Sequence, residues 1–313
     1  MKYVEGLVSV IMPTYKRSEM LSRAIESILS QSYTNLELLL INDNEPDDEY
    51  TNDLIGRIEK YLSDPRFKLV MQQRHTNGAV ARNLGIKQAK GEFIAFLDDD
   101  DWWEKDKIKQ QVRVLRSLDD TWGGVSCKFT LYDQNGAVIG RTSKYNDGYI
   151  YKDILNLISD VATGTLLLRH SALDDAGYFD ESLLRHQDLQ LLVNFTSKYK
   201  LMEVDKYLHC VDVSDAQNRP NPEKMIRQKE AFFKSIQVVM NSLTVSERNC
   251  VYAMHRFELG YVYLKQGTMS KGLYCCAKVF CSPRVLLLAI KKVWLKIQQK
   301  YHASAKYGFD DMT

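Results

Sequence analysis

The sequence predicts an α/β fold, a mostly parallel mixed sheet flanked by helices, followed by an α-helical C-terminal extension. Three observations carry this. Short apolar, β-branched runs alternate with segments whose apolar residues recur every three or four positions. The runs end in polar or acidic residues, as parallel strands do where they deliver ligand-binding groups to one rim. From Glu223 onward only helical spacing remains.

Val8 to Met12 is the first strand, closed by Pro13-Thr14-Tyr15. Ser18 opens a helix whose Leu21, Ala24, Ile25, Ile28 and Leu29 share one face. Leu36 to Ile41 is a second strand ending at Asn42-Asp43, Tyr50 to Leu62 a helix, and Phe67 to Met71 a third strand. Ala79 to Ala89 is a helix, and Phe93 to Leu97 is a buried strand that stops at Asp98-Asp99-Asp100-Asp101-Trp102-Trp103. Lys105 to Leu118 is helical, with Ile108, Val112 and Leu115 along one side. Asn135-Gly136 between Gly123–Thr130 and Val138–Arg141 signals a hairpin, expected as an antiparallel addition at the sheet edge. Thr165 to Leu168 is a strand, Gly177 to Glu181 a turn, and Asp188 stands near the start of a helix carrying Leu191, Leu192 and Phe195. Tyr207-Leu208-His209 lies on the last strand, and Asp212 to Pro222 reads as a loop able to close over a ligand, or as a linker.

At 313 residues and 45% hydrophobic composition the chain buries a sizeable core. Its formal charge is +2, yet residues 265 to 306 hold nine Lys or Arg and no acid, so the preceding residues are acidic on balance. Six irregularly spaced cysteines fit free thiols in a reducing compartment. The apolar run Leu7 to Met12 lacks the length of a signal-peptide core, and no window reaches the ~20 apolar residues of a spanning helix. The expected location is cytoplasmic, peripheral on the inner face of the membrane.

Polar strand ends at Thr14, Asp43 and Asp98 to Asp101 converge on one rim. Paired carboxylates suit a hard divalent cation that takes one or two protein oxygens together with phosphates and water. Each residue also has a plainer use: the tetrad as a solvated turn, Asp43 and Asp188 as helix caps, Arg82 as a surface ion-pair partner, and His209 as a core residue.

Taken together, the residues resemble the inverting family 2 glycosyltransferases of bacteria, which have the GT-A fold. The resemblance covers roughly residues 7 to 215. It runs through Val8-Ser9-Val10-Ile11-Met12-Pro13-Thr14-Tyr15, Ser27 to Tyr33, Asn77-Gly78-Ala79-Val80-Ala81-Arg82-Asn83, Phe96 to Asp101, Gly177-Tyr178-Phe179-Asp180-Glu181 and Gln187-Asp188. It implies a nucleotide-sugar donor, UDP-linked, held by Pro13, Thr14, Tyr15, Asp43, Gly78, Arg82, Asp98 and Asp99. In that frame Asp43 accepts from the base, Tyr15 lies against it, and Arg82 meets the diphosphate. It further implies Mn²⁺ or Mg²⁺ on Asp100 and Asp98, with His209 as a further ligand, while Asp99 and Asp101 support the turn. Asp188 matches the catalytic base. Two departures stand out: Asn42 replaces one acid of a common pair at the second strand end, and Gln187 replaces a common Glu before Asp188.

The division expected is 1–221 for the catalytic domain and 222–313 for a helical region. Phe257 to Tyr261, Lys265 to Gly267 and Ala277 to Pro283 suggest a helix pair. In Arg284 to Tyr301, Leu286, Ile290, Val293, Trp294, Ile297 and Tyr301 share one face and Lys291, Lys292, Lys296 and Lys300 lie away from it. That make-up fits an interfacial helix on anionic lipid, or a helix docked on the domain with a solvated basic face.

The function expected is transfer of a sugar to a glycan acceptor, lipid-linked, in bacterial surface polysaccharide synthesis (capsule, O-antigen or exopolysaccharide), with no nucleic-acid partner. Two rivals differ. A nucleotidyltransferase calls for a Gly-rich, Lys-bearing loop after the first strand, where Pro13-Thr14-Tyr15-Lys16-Arg17 has no glycine. A non-catalytic, membrane-recruited sugar-nucleotide binder needs Asp43 and Asp100 but not Asp188.

Overall fold

A computed structural model describes residues 3–16, 20–143, 147–214 and 221–304. Strands β1 (Val4–Thr14), β2 (Leu36–Asn42), β3 (Phe67–Met71) and β4 (Gly91–Phe96) pair in parallel in the order β3-β2-β1-β4. Helices α1 (Leu21–Leu29), α2 (Glu49–Ile58) and α3 (Gly78–Gln88) connect them. Ser18, expected to open α1, lies outside the described residues.

Covered on both sides, these strands are mostly apolar, with Ser9 and Glu37 buried among them and Lys68 on the edge strand β3, and their apolar residues separate by parity. Val8, Val10, Met12, Leu38, Leu40, Phe93 and Ala95 join a core with α1 and α2, while Ile11, Leu39, Ile41, Ile94 and Phe96 join one with α3. Close approach of α3 to β1 depends on Gly85, where a Cβ would lie 2.5 Å from Ile11 Cγ2.

Beyond β4 the sheet becomes mixed. The two-residue strand β5 (Trp102–Trp103) leads to α4 (Lys107–Arg116), then β6 (Trp122–Tyr132), β7 (Val138–Arg141), α5 (Tyr151–Leu155), β8 (Leu167–Arg169), α6 (His170–Ala176), α7 (Gln187–Lys198) and β9 (Lys200–Asp212). The order continues β4-β8-β6-β9-β5, with β7 on β6. The hairpin forms as expected, but β6 is not an edge addition. It sits inside the sheet, antiparallel to β8 and parallel to β9 over most of its length, and only β7 is peripheral.

The remaining helices are α8 (Pro222–Ser235), α9 (Gln237–Ser242), α10 (Val245–Lys265), α11 (Met269–Ala277) and α12 (Pro283–Ser304). Asn221 caps α8 through the N–H groups of Glu223 and Lys224, and Thr244 and Glu247 form a reciprocal capping box on α10. Phe232, Ile236, Met240 and Val251 extend the α3-side core, so the first of these helices pack on the sheet layer. A smaller cluster of Cys250, Met254, Val279, Val285 and Ala289 joins α10 to α12.

The α12 face expected to be apolar is only partly right. Leu286 packs inward with Val285 and Ala289, whereas Ile290, Val293, Trp294 and Ile297 are 46–61% exposed. Lys292 does not face solvent: it is 13% exposed and lies 3.7 Å from Glu258. The side chain of Tyr301 and most of the 212–222 loop lie outside the described residues.

Candidate active site

Ends of β1, β2 and β4 meet at the carboxyl rim. Thr14 Oγ1 donates to Asp99 Oδ2 at 2.7 Å, both residues being at most 6% exposed, so β1 and β4 are tied there. Asp43 is 3% exposed. Its carboxylate accepts from Gln72 Nε2 (2.5 Å) and from the Thr76 N–H (3.1 Å), with His75 Nδ1 at 3.2 Å. Burial pushes the Asp43 carboxyl above the ordinary aspartate range, against the opposing pull of the Thr76 N–H and His75. The Tyr15 ring is stacked on His75 at 3.8 Å and 11°. A buried carboxylate and two stacked rings thus lie side by side at the ends of β1 and β2.

Helix α3 begins at this rim. Asn77 caps it by accepting from Ala79 and Val80 N–H, which leaves the helix start free of acidic side chains and favourable to anions. One turn on, Arg82 Nη2 donates to Asp98 Oδ1 at 2.5 Å. Gly78 leaves room for that guanidinium, since a Cβ there would lie 2.8 Å from Arg82 Nη1. The Asp98 side chain is 44% exposed, and the main-chain oxygen of Asp100 accepts from Arg23 Nη2 at 2.7 Å. Arg23 also reaches Asp212 (3.1 Å) and lies over Trp102 at 3.9 Å, fastening the acidic turn to β9.

Among the described residues no three or more His, Cys, Asp or Glu draw together as a metal cage. Asp98 and Asp100 offer hard oxygen donors on the rim, which fits Mg²⁺ or Mn²⁺ whose remaining positions come from phosphate and water. His209 is placed differently from a rim ligand. It is 1% exposed, with Nε2 3.2 Å from Asp101 Oδ2 and its ring against Phe129 and Gly164. Asp101 in turn accepts the Asp212 N–H at 3.0 Å. Trp103 is core, its Nε1 donating to the Gly164 carbonyl.

Asp188 is exposed in the first turn of α7. Side chains that stitch α7 to α3 bring it to the same rim. Asn83 Nδ2 donates to the Phe179 carbonyl and to Glu181 Oε1, both at 2.9 Å, and Asn83 Oδ1 accepts the Phe179 N–H. Asn77 Nδ2 donates to the Glu181 carbonyl, Gln190 Oε1 accepts the Asp180 N–H, and Gln187 Nε2 lies 3.4 Å from Asn77 Oδ1. The Gly177–Glu181 segment is therefore the clamp between α3 and α7. Gly177 takes φ +92°, a conformation that favours glycine.

Gln72, His75, Thr76, Arg23, Asn83 and Gln190 were not singled out from the sequence. Asn83 and Gln190 carried a usable signal, a polar residue set among apolar positions of a helix. His75 and Thr76 carried none.

Residues 9–177 match Glycosyl transferase family 2. The chain is 30% identical over 195 residues to the amylovoran biosynthesis glycosyltransferase AmsB of Erwinia amylovora, covering 59% of this chain and 62% of that one. It is 35% identical over 137 residues to the Escherichia coli UDP-Glc:alpha-D-GlcNAc-diphosphoundecaprenol beta-1,3-glucosyltransferase WfgD, covering 43% and 50%. The matched stretch spans 33% to 70% of the length of these and other curated relatives. In fold it is similar to S. aureus TarS 1-349 in complex with UDP-GlcNAc (TM-score 0.62, 18% identity, 97% of this chain and 93% of that one). It is likewise similar to the Pyrobaculum calidifontis mannosyltransferase PcManGT in complex with GDP-Man and Mn²⁺ (TM-score 0.58, 16% identity, 95% and 85%). With more than half of its length matched, and with the strand ends, acidic turn and clamped helix arranged as described, the chain belongs to glycosyl transferase family 2 and has the GT-A fold.

Proposed function

We propose that the chain transfers a sugar from a UDP-linked donor to a glycan hydroxyl with inversion, in assembly of a bacterial surface polysaccharide on a lipid carrier. The observation that supports it most is the clamp that sets an exposed carboxylate, Asp188, on the helix beside the Arg82–Asp98 pair. Residues 1–221 form the catalytic unit in this reading and residues 222–313 its helical extension.

In the donor slot, Asp43 accepts from the base and Tyr15 covers it. The α3 N-terminus and Arg82 hold the diphosphate, favouring the charge that gathers on it as the sugar leaves. Asp98 and Asp100 would hold Mn²⁺ or Mg²⁺, which when bound neutralises the leaving diphosphate. Thr14 and Asp99 fix the separation of the two strand ends. His209 acts through Asp101, keeping the acidic turn in place. Asp188 takes the proton of the acceptor hydroxyl as that oxygen attacks opposite the diphosphate, and a single displacement of this kind inverts the anomeric carbon. Gln187 as a neutral neighbour adds no like charge to oppose ionisation of Asp188.

No helix among the described residues is long and apolar enough to cross a membrane. We place the chain on the cytoplasmic face of the inner membrane through α12, where Leu287, Ile290, Trp294 and Ile297 are 54–68% exposed beside Lys291, Lys296 and Lys300.

Calorimetry with a panel of nucleotide sugars, with and without Mn²⁺, tests the donor. If no nucleotide diphosphate binds under either condition, the reading fails. Asp188→Asn tests the chemistry: kcat is expected to fall by about 10²–10⁴-fold with donor affinity unchanged. Transfer at the wild-type rate would leave a different base to be found.

A further inference from the structure

Outside the donor rim, a groove of about 630 Å³ with mixed lining lies between the start of α7, α8, α10 and α12. Its described walls carry five cations, Arg185, Lys265, Lys292, Lys296 and Lys300, against one acid, Glu258. That acid is already held by Lys229 at 2.7 Å and Lys292 at 3.7 Å, so the groove is positive in sum. Between the cations its lining is apolar, from Met225, Phe257, Val262, Val293 and Ile297. A ligand that satisfies both features joins a multiply charged anion to a hydrocarbon chain.

Position narrows the choice. Arg185 and His186 line the groove and precede Asp188 by three and two residues, so an anion gripped there lies at the mouth of the acceptor side. His186 adopts a left-handed backbone (φ 63°) at this helix start, and its Nε2 is buried without a hydrogen-bond partner among the described residues. At the other end Val293 and Ile297 continue along α12 into the exposed Ile290 and Trp294, which gives an apolar chain a route out toward a bilayer.

Resting on the reading that the acceptor is carried on lipid, we propose that this groove binds the diphosphate and first isoprenoid units of the carrier. Arg185 and the α12 lysines grip the diphosphate, and the sugar attached to it is presented to Asp188. The groove shares no residue with the donor rim, so the two diphosphates are held independently.

Farnesyl diphosphate titrated calorimetrically into protein saturated with UDP and Mn²⁺ tests this, because the donor site is then filled. Saturable binding is expected, weakened at least about tenfold in Lys296→Glu and again in Arg185→Ala, with UDP affinity and melting temperature unchanged. The two residues are exposed and lie on separate elements, Lys296 in α12 and Arg185 in the turn before α7, so a shared loss does not reflect local unfolding. Absence of binding, or binding by both variants as tight as by the wild type, overturns the proposal. So does loss of binding to phosphatidylglycerol vesicles in Lys296→Glu with farnesyl diphosphate unaffected, which would make a bilayer lipid the occupant. Failure of UDP itself to bind refutes the donor reading instead, and farnesyl diphosphate titrated alone then still decides the groove.

Discussion

Two shielded carboxylates, Asp43 on the donor rim and Glu258 under the C-terminal helices, shift in opposite directions. Asp43 is 3% exposed and pushed up by burial; Glu258 has a third of its side chain exposed and is pulled down to about 2. Burial raises both, and the partners decide the outcome. Asp43 has an amide, a main-chain N–H and a histidine, whereas Glu258 has two lysines. Asp101 resembles Asp43, raised by burial with His209 and a main-chain N–H as partners. Asp43 and Asp101 are thus held by neutral donors and a histidine, while the C-terminal acid is balanced by two lysines and serves the packing.

Removing charge from each region should therefore give different losses. At the rim, Asp98→Asn is expected to lower activity by about 10²–10³-fold while changing stability by less than about 1 kcal/mol, because the Asp98 side chain is 44% exposed. Steady-state rates and urea unfolding on the same preparation check both halves. Unfolding that suffers more than catalysis would make the Arg82–Asp98 pair a structural one. In the C-terminal region the expectation reverses. Lys229→Met removes the nearest cation from Glu258 and the donor to His255 Nδ1. It should cost about 2–4 kcal/mol of stability and leave UDP affinity unaltered. A variant as stable as wild type would mean that Lys292 alone balances Glu258.

Legibility followed the same division. Apolar runs bounded by turn residues located β2 and β3 within a residue, because parallel strands packed under helices read as short apolar runs, even at the edge position that β3 holds. Tetrad, Asp43 and Asp188 were visible since strand ends and helix starts are local features. Partners were not: Gln72, His75 and Thr76 lie in a polar segment after β3, and only the fold brings them to Asp43. Edge and interior strands share the same alternation, so the position of β6 depended on β8 and β9, chosen far along the chain. Lys292 was misplaced because a lysine at helical spacing looks solvated until its counter-charge on another helix, Glu258, is known.

Acid sensitivity offers the finest separation of the two regions, and its sign follows from His255. Buried between α8 and α10, this ring accepts from Lys229 on α8 at Nδ1 and donates from Nε2 to the Leu155 carbonyl on α5, with Glu258 on its own helix and Lys292 on α12 nearby. Burial, then Lys229, hold its pKa well below the ordinary 6.5, so the folded protein keeps it neutral where the unfolded chain takes a proton. Stability from this group is therefore full above about pH 6.5 and is lost progressively as pH falls below it. His186, also lowered by burial, adds to the same slope. Glu258 extends the loss at lower pH, between its unfolded value near ~4.3 and about 2. Melting temperatures from pH 7.5 to 5.5 should fall in the wild type and fall less in His255→Gln. Parallel curves for the two proteins would show that His255 takes up its proton as readily in the fold as in the unfolded chain, and that the C-terminal cluster is not the balanced region its geometry describes.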